Sequence, residues 1–181
     1  MKLIDLKKKT LALIEEINTE ETSLTDDPDI AAKLPYVINQ VLHELARFKK
    51  IPAYATRDVE KDQIMSLNDS LDNFYQLKII KNVEYEFLDD LHVKFLEDGE
   101  AVISYYQYPD NITDTTPDTK TIDMPEDVLE IAPYGIAADI LKADVSNQYG
   151  TIYANRYKEM IQTLDSRYVN TIIEFDGGIN I

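Results

Sequence analysis

Residues 75–108, YQLKIIKNVEYEFLDDLHVKFLEDGEAVISYYQY, decide the fold class. Leu77-Lys78-Ile79, Tyr85-Glu86-Phe87, His92-Val93-Lys94-Phe95 and Val102 to Tyr108 are rich in β-branched and aromatic residues with partial alternation. That is the pattern of strands with one face buried. Glu97-Asp98-Gly99-Glu100 separates the last two runs, and an Asp-Gly pair in such a place predicts a β-hairpin. Residues 109–121, PDNITDTTPDTKT, are turn formers and small polar residues, which predicts an exposed loop.

On either side the apolar period becomes helical. In residues 2–17, Leu3, Leu6, Thr10, Leu13, Ile14 and Ile17 recur at helical spacing, predicting a short amphipathic helix, and Thr19 to Asp27 reads as a polar, acidic loop. Asp27-Pro28 is an N-cap followed by proline at the first helical position. From there Ile30, Leu34, Val37, Ile38, Val41, Leu42, Leu45 and Phe48 form one stripe, which Lys49, Lys50 and Pro52 terminate. Pro35 within it predicts a kink or a delayed start. After Pro125, Val128, Leu129, Ile131, Ala132, Ile136, Ile140 and Leu141 give another apolar face, with a kink or a break into two short helices expected at Pro133 and Gly135. A last helix is expected over roughly 147–166, followed by an alternating tail through Val169, Thr171, Ile173 and Phe175 to Gly177-Gly178.

The order helix, helix, strands, helix, helix, tail predicts an α+β protein. In it, a helical bundle of two N-terminal and two C-terminal helices carries an inserted antiparallel sheet and an extended C-terminal tail. The expected organisation is one domain over residues 1–167, with the β-insert at about 75–124 and an arm over 168–181.

Bulk properties narrow the function. The 181 residues are 44% apolar and 29% charged, the composition of a folded domain. The net charge is −16, unevenly spread. Residues 1–50 hold 8 of the 18 Lys and Arg and 9 of the 34 Asp and Glu, so the remainder holds 10 against 25. Such a surface repels phosphate and argues against tight nucleic-acid binding. The absence of cysteine excludes disulfides and thiolate catalysis. The N-terminus lacks an uninterrupted apolar core of a signal peptide, and no apolar run reaches the length of a bilayer span, so a soluble cytoplasmic product is expected.

Chemistry-bearing motifs are sparse. His43 and His92 fall in different elements, His43 at the edge of the helical stripe and His92 on a water-facing strand position, so a metal site is not expected. None of the five glycines builds a phosphate-cradling loop, and no nucleophile elbow is present. Asp26-Asp27-x-Asp29 reads as helix capping, and Asp110, Asp114 and Asp118 as a solvated loop, since neither has the full calcium-loop pattern. No catalytic residue, cofactor or metal is therefore expected. Tyr149, Tyr153 and Tyr157 repeat at i, i+4 and i+8, a stripe that packs on a neighbouring element or forms a subunit interface. In the tail, Ile172, Ile173, Phe175, Ile179 and Ile181 need a cover, either the chain's own sheet or that of another subunit.

The stretch from Ile122 to Leu141, IDMPEDVLEIAPYGIAADIL, resembles head–tail connector (adaptor, or neck) proteins of tailed bacteriophages, in which a proline-started helix is followed by a Pro-Tyr-x-x-Ala-Ala segment. The run Asn147, Tyr149, Tyr153, Tyr157, Met160-Ile161 and the helix containing Val37 to Leu45 are similar to further helices of that group. The resemblance covers about two-thirds of the chain, counting helices that carry core periodicity. It implies a virion structural protein without catalytic residues, made in the bacterial host cytoplasm. It also implies a ring of about a dozen copies under the portal protein, touching tail or other neck proteins and letting DNA pass without specific binding. No membrane contact is implied. A tail-completion or terminator subunit is the alternative from the same class. From another class, a carboxylate-dependent hydrolase or small-ligand-binding domain would need a concave pocket with two converging acids of perturbed pKa.

Overall fold

The computed structural model describes residues 1–18, 24–142 and 148–164. Helices α1 (Leu3–Leu13) and α2 (Pro28–Phe48) come first. The strands and a short helix follow as β1 (Ile51–Val59), β2 (Ile64–Ser66), α3 (Leu67–Ser70), β3 (Phe74–Lys81), β4 (Tyr85–Phe87), β5 (His92–Phe95) and β6 (Gly99–Gln107). Three helices close the described chain: α4 (Glu126–Leu129), α5 (Ala132–Leu141) and α6 (Gln148–Leu164). The protein is α+β, with helices and two antiparallel sheets.

The helices share one apolar core. Leu3 and Leu6 of α1, Leu34, Ile38, Val41, Leu42 and Leu45 of α2, Ile136 of α5, and Tyr157 and Ile161 of α6 meet there, with α5 touching the other three. The Asp27 carboxylate accepts from the backbone N–H of Asp29 and Ile30, fixing the start of α2. The helix begins at Pro28 and runs unbroken through Pro35, so its start is not delayed. The break expected at Pro133 and Gly135 lies upstream of both, at Glu130-Ile131 between α4 and α5. Pro133 then occupies the first turn of α5, where its missing N–H costs nothing. Gly135, inside α5, has a packing reason: a Cβ there would lie 2.8 Å from the Tyr157 ring. Helix α1 ends in a reciprocal pair of bonds, Glu16 N–H to Leu11 C=O and Glu15 N–H to Ala12 C=O, with Glu15 at φ 61°.

The strands begin at Ile51, upstream of the expected start at residue 75. The inward positions of β1 are Ile51, Ala53, Ala55 and Val59, and the two alanines weaken the apolar signal. Pro52 is tolerated because β1 is an edge strand. One sheet has the order β1-β6-β3 and the other β2-β5-β4, all neighbours antiparallel. The sheets share a second core built on Val59, Ile80, Ala101 and Ile103 from the first and Met65, Val93 and Phe95 from the second.

The hairpin expected at Asp98-Gly99 does not form. Strand β5 pairs with β2 and β4 while β6 pairs with β1 and β3, so this turn carries the chain from one sheet to the other. Gly99 does not use the left-handed backbone that a tight Asp-Gly hairpin turn requires. It is needed for close approach, since a Cβ at Gly99 would lie 2.9 Å from Val83 Cγ1.

Residues 109–121 form the expected loop, with most positions exposed, and they also tie the chain together at a few points. Ile112 is buried in the helical core, and the Asn39 side chain from α2 clamps it in both directions. Asn39 Nδ2 donates to the Ile112 carbonyl, and the Ile112 N–H donates to Asn39 Oδ1, each at 2.7 Å. Further along, the Leu3 N–H donates to the Lys120 carbonyl and the Ile122 N–H to the Met1 carbonyl. Lys7 pairs with Asp118 at 2.8 Å. The helical and β parts meet where His43 stacks on Tyr108, with ring centroids 4.6 Å apart, and where Lys50 lies over Tyr106 and donates to Gln76.

Candidate interaction surfaces

The tyrosine stripe of α6 grades from core to surface. Tyr157 is buried, and its hydroxyl donates to the Glu44 carboxylate at 3.2 Å. Burial first, and then the charge of Glu44, push its pKa far above the ordinary tyrosine value. Tyr153 is half-buried and donates to the Leu13 carbonyl at 2.6 Å, which ties α6 to the end of α1. Tyr149, stacked on Tyr153, keeps 60% of its surface exposed, as Ile152 beside it keeps 54%. Of the three, Tyr149 presents its ring outward. Ile172, Ile173, Phe175, Ile179 and Ile181 lie outside the described residues, as does the expected arm 168–181.

His43 has its Nε2 buried with no hydrogen-bond partner. Burial lowers its pKa below the ordinary 6.5, with Arg47 adding to the effect and contacts to Pro109 and Asn111 opposing it. The acidic candidates for calcium are dispersed. Asp27 caps α2, Asp110 pairs with Lys120 and Asn73, and Asp118 pairs with Lys7. Among the described residues no three His, Asp or Glu side chains converge as a metal site. No helix among them is long and apolar enough to cross a membrane.

A constellation that sequence spacing hides lies on the second sheet. His92 stands opposite Ser66 in the β2–β5 register, and its Nδ1 lies 2.9 Å from both Asp89 carboxylate oxygens. The Ser66 hydroxyl, however, donates to Asp69 at 2.6 Å, so its proton is directed away from the imidazole. The Asp89 carboxylate also accepts from the Leu91 and His92 backbone N–H groups. These bonds, the Leu91 N–H foremost, hold its pKa below the usual carboxylate value. This is a turn-stabilising arrangement, open to water, in which the histidine closes the cap.

The same turn walls a groove of about 600 Å³. One side is the start of β3, Phe74 to Leu77, and the other is Phe87 to Leu91. Phe87, Leu88 and Leu91 are 57%, 49% and 40% exposed, a concentration of large apolar side chains within five residues. The sequence carries a trace of it. Phe87-Leu88-Asp89-Asp90-Leu91 is too apolar for a solvated turn and too interrupted for a strand.

No family model and no curated protein matches the chain.

Proposed function

We propose that this chain is a non-enzymatic virion structural subunit, a head–tail connector that assembles into a ring around the DNA channel. Helices α1, α2, α5 and α6 form its bundle, the two sheets are an insertion, and residues 168–181 contact a neighbouring subunit or the portal protein. The observation that carries this reading is the set of exposed large apolar side chains on both parts of the molecule. Tyr36, Phe48 and Ile152 lie on the helices and Tyr54, Ile64 and Phe87 on the strands. Most of these side chains are aromatic, the residue type enriched where protein surfaces meet. The net charge of −16 suits a channel wall along which DNA slides without adhering.

A carboxylate-dependent hydrolase finds less support. The acids on the groove, Asp89 and Asp90, are sequence neighbours, and Asp89 is held ionised by its donors where a general acid needs a raised pKa.

Electron microscopy and mass photometry of the purified chain, alone and mixed with a phage portal protein, test the proposal. Closed rings, alone or on portal, are expected. A chain that stays monomeric at every concentration and ignores portal would remove it. Rings that bind tail tubes in place of portal would make it a tail-completion subunit.

A further inference from the structure

From the groove between β3 and the Phe87–Leu91 turn, we infer a docking site for an extended, basic-apolar peptide segment of a different protein. Three features point there together. Both walls end on sheet edges: β3 is the outer strand of one sheet and β4 of the other. The outer side of β3 pairs with no strand among the described residues, and its register shifts between Phe74 and Gln76 and between Leu77 and Ile79 leave Gln76-Leu77 as the regular stretch facing the groove.

The apolar wall is preorganised. An exposed Phe-Leu-x-x-Leu turn would ordinarily collapse onto itself to hide its side chains. Here the Asp89 carboxylate holds the Leu91 and His92 amides, the Leu88 N–H donates to the His92 carbonyl, and the Leu67 N–H donates to the Leu91 carbonyl. Leu88 and Leu91 are thus fixed outward before any partner arrives, which lowers the ordering cost of binding.

Charge selects the occupant. The lining holds two carboxylates, Asp89 and Asp90, and the nearby Lys50 ammonium is occupied by Gln76 and the Tyr106 ring. Asp89 is engaged by His92, which leaves Asp90 as the group for a partner's cation. A second copy of this chain carries a net charge of −16, and its alternating segment around Phe175 is flanked by Glu174 and Asp176. The acids flanking Phe175 place like charge against Asp90, and the overall negative charge of two copies opposes their approach. A foreign strand with apolar side chains on one face and a lysine or arginine beside them meets the wall and the acid together. This site does not depend on ring assembly.

The test uses two fluorescein-labelled hexapeptides, Lys-Ile-Thr-Val-Lys-Leu and Glu-Ile-Thr-Val-Glu-Leu, titrated with the full chain and followed by fluorescence anisotropy at low salt. The lysine peptide is expected to bind about fivefold to tenfold more tightly than the glutamate peptide, the scale of reversing charges beside an exposed acid. It should also slow hydrogen exchange at Tyr75–Leu77. Leu88→Ser with Leu91→Ser, both at exposed positions, should weaken it about tenfold while circular dichroism stays unchanged. Asp90→Lys should reverse the preference between the two peptides. Equal binding of both peptides, no binding of either, or binding indifferent to the Leu88→Ser/Leu91→Ser pair would overturn the inference. So would self-association of the natural chain that the same pair abolishes, because that result would put a second copy in the groove.

Discussion

Replacing Asn39 with alanine removes the clamp that holds Ile112 against α2. Two hydrogen bonds are lost, Asn39 Nδ2 to the Ile112 carbonyl and the Ile112 N–H to Asn39 Oδ1, each 2.7 Å long and partly buried. Each contributes about 1 kcal/mol net, and the Ile112 groups left behind add a further penalty where water cannot reach them, for a loss of about 3 kcal/mol. Alanine is the better helix former in the middle of α2 and returns about 0.6 kcal/mol. A net destabilisation of about 2 kcal/mol follows, or about 4–8 °C in Tm for a chain of this size. Asn39→Asp is the informative companion, since it keeps the acceptor for the Ile112 N–H but sets a carboxylate oxygen against the Ile112 carbonyl. It should be no more stable than the alanine variant. Urea unfolding gives the free energy, and hydrogen exchange at the Ile112 amide reports the clamp itself, slow in the natural chain and fast in both variants. A loss below about 0.5 kcal/mol, with the Ile112 amide still protected, would refute the idea that residues 109–121 are held by this contact.

Three further outcomes follow from local geometry. Glu15→Gly should stabilise the chain by about 1 kcal/mol in urea unfolding, because Glu15 holds a left-handed conformation at φ 61° that glycine adopts freely. An unchanged or lower midpoint would contradict this. Gly99→Ala should destabilise by about 1–3 kcal/mol through the Val83 contact, and Val83→Ala in the same chain should recover most of the Gly99→Ala increment. Additive effects of the two substitutions would place the strain elsewhere. His43 contributes a pH dependence of defined sign. Its folded pKa lies below the unfolded 6.5, so the unfolded chain binds the extra proton, and stability that is full above pH 6.5 falls as the pH drops toward the folded value. Between pH 7 and 5.5 the natural chain should lose stability, and His43→Phe, which can keep the stack on Tyr108, should lose less. Equal slopes would show that His43 carries no such linkage.

The helices were legible in the sequence because their signals are local. Asp27-Pro28 fixes the start of α2 by its own hydrogen bonds, and the stripe from Leu34 to Leu45 is the buried face. The α+β class followed from the change of period at residue 75. Strand β1 was not legible, because Ala53 and Ala55 supply its inward face and Pro52 looks like a breaker. Nor was the pairing of β6. Asp98-Gly99 has hairpin chemistry in sequence, yet long-range pairing of β6 with β1 and β3 decides its partners. Asn39 and Ile112 are separated by 73 residues, and no periodicity announces such a contact. The tyrosines of α6 show the limit within the candidate surface. One period places all three on a stripe, but only packing separates buried Tyr157 from outward Tyr149.

The interlacing of the helical core has a consequence for synthesis on the ribosome. The strands between Ile51 and Gln107 are contiguous, so their shared core is complete as soon as β6 has emerged from the exit tunnel. The apolar stripe of α2 is made earlier and must wait for α5, about ninety residues downstream, before it is covered. At about 5–20 residues per second that interval lasts several seconds, during which a nascent-chain chaperone would find Leu34 to Leu45 bare.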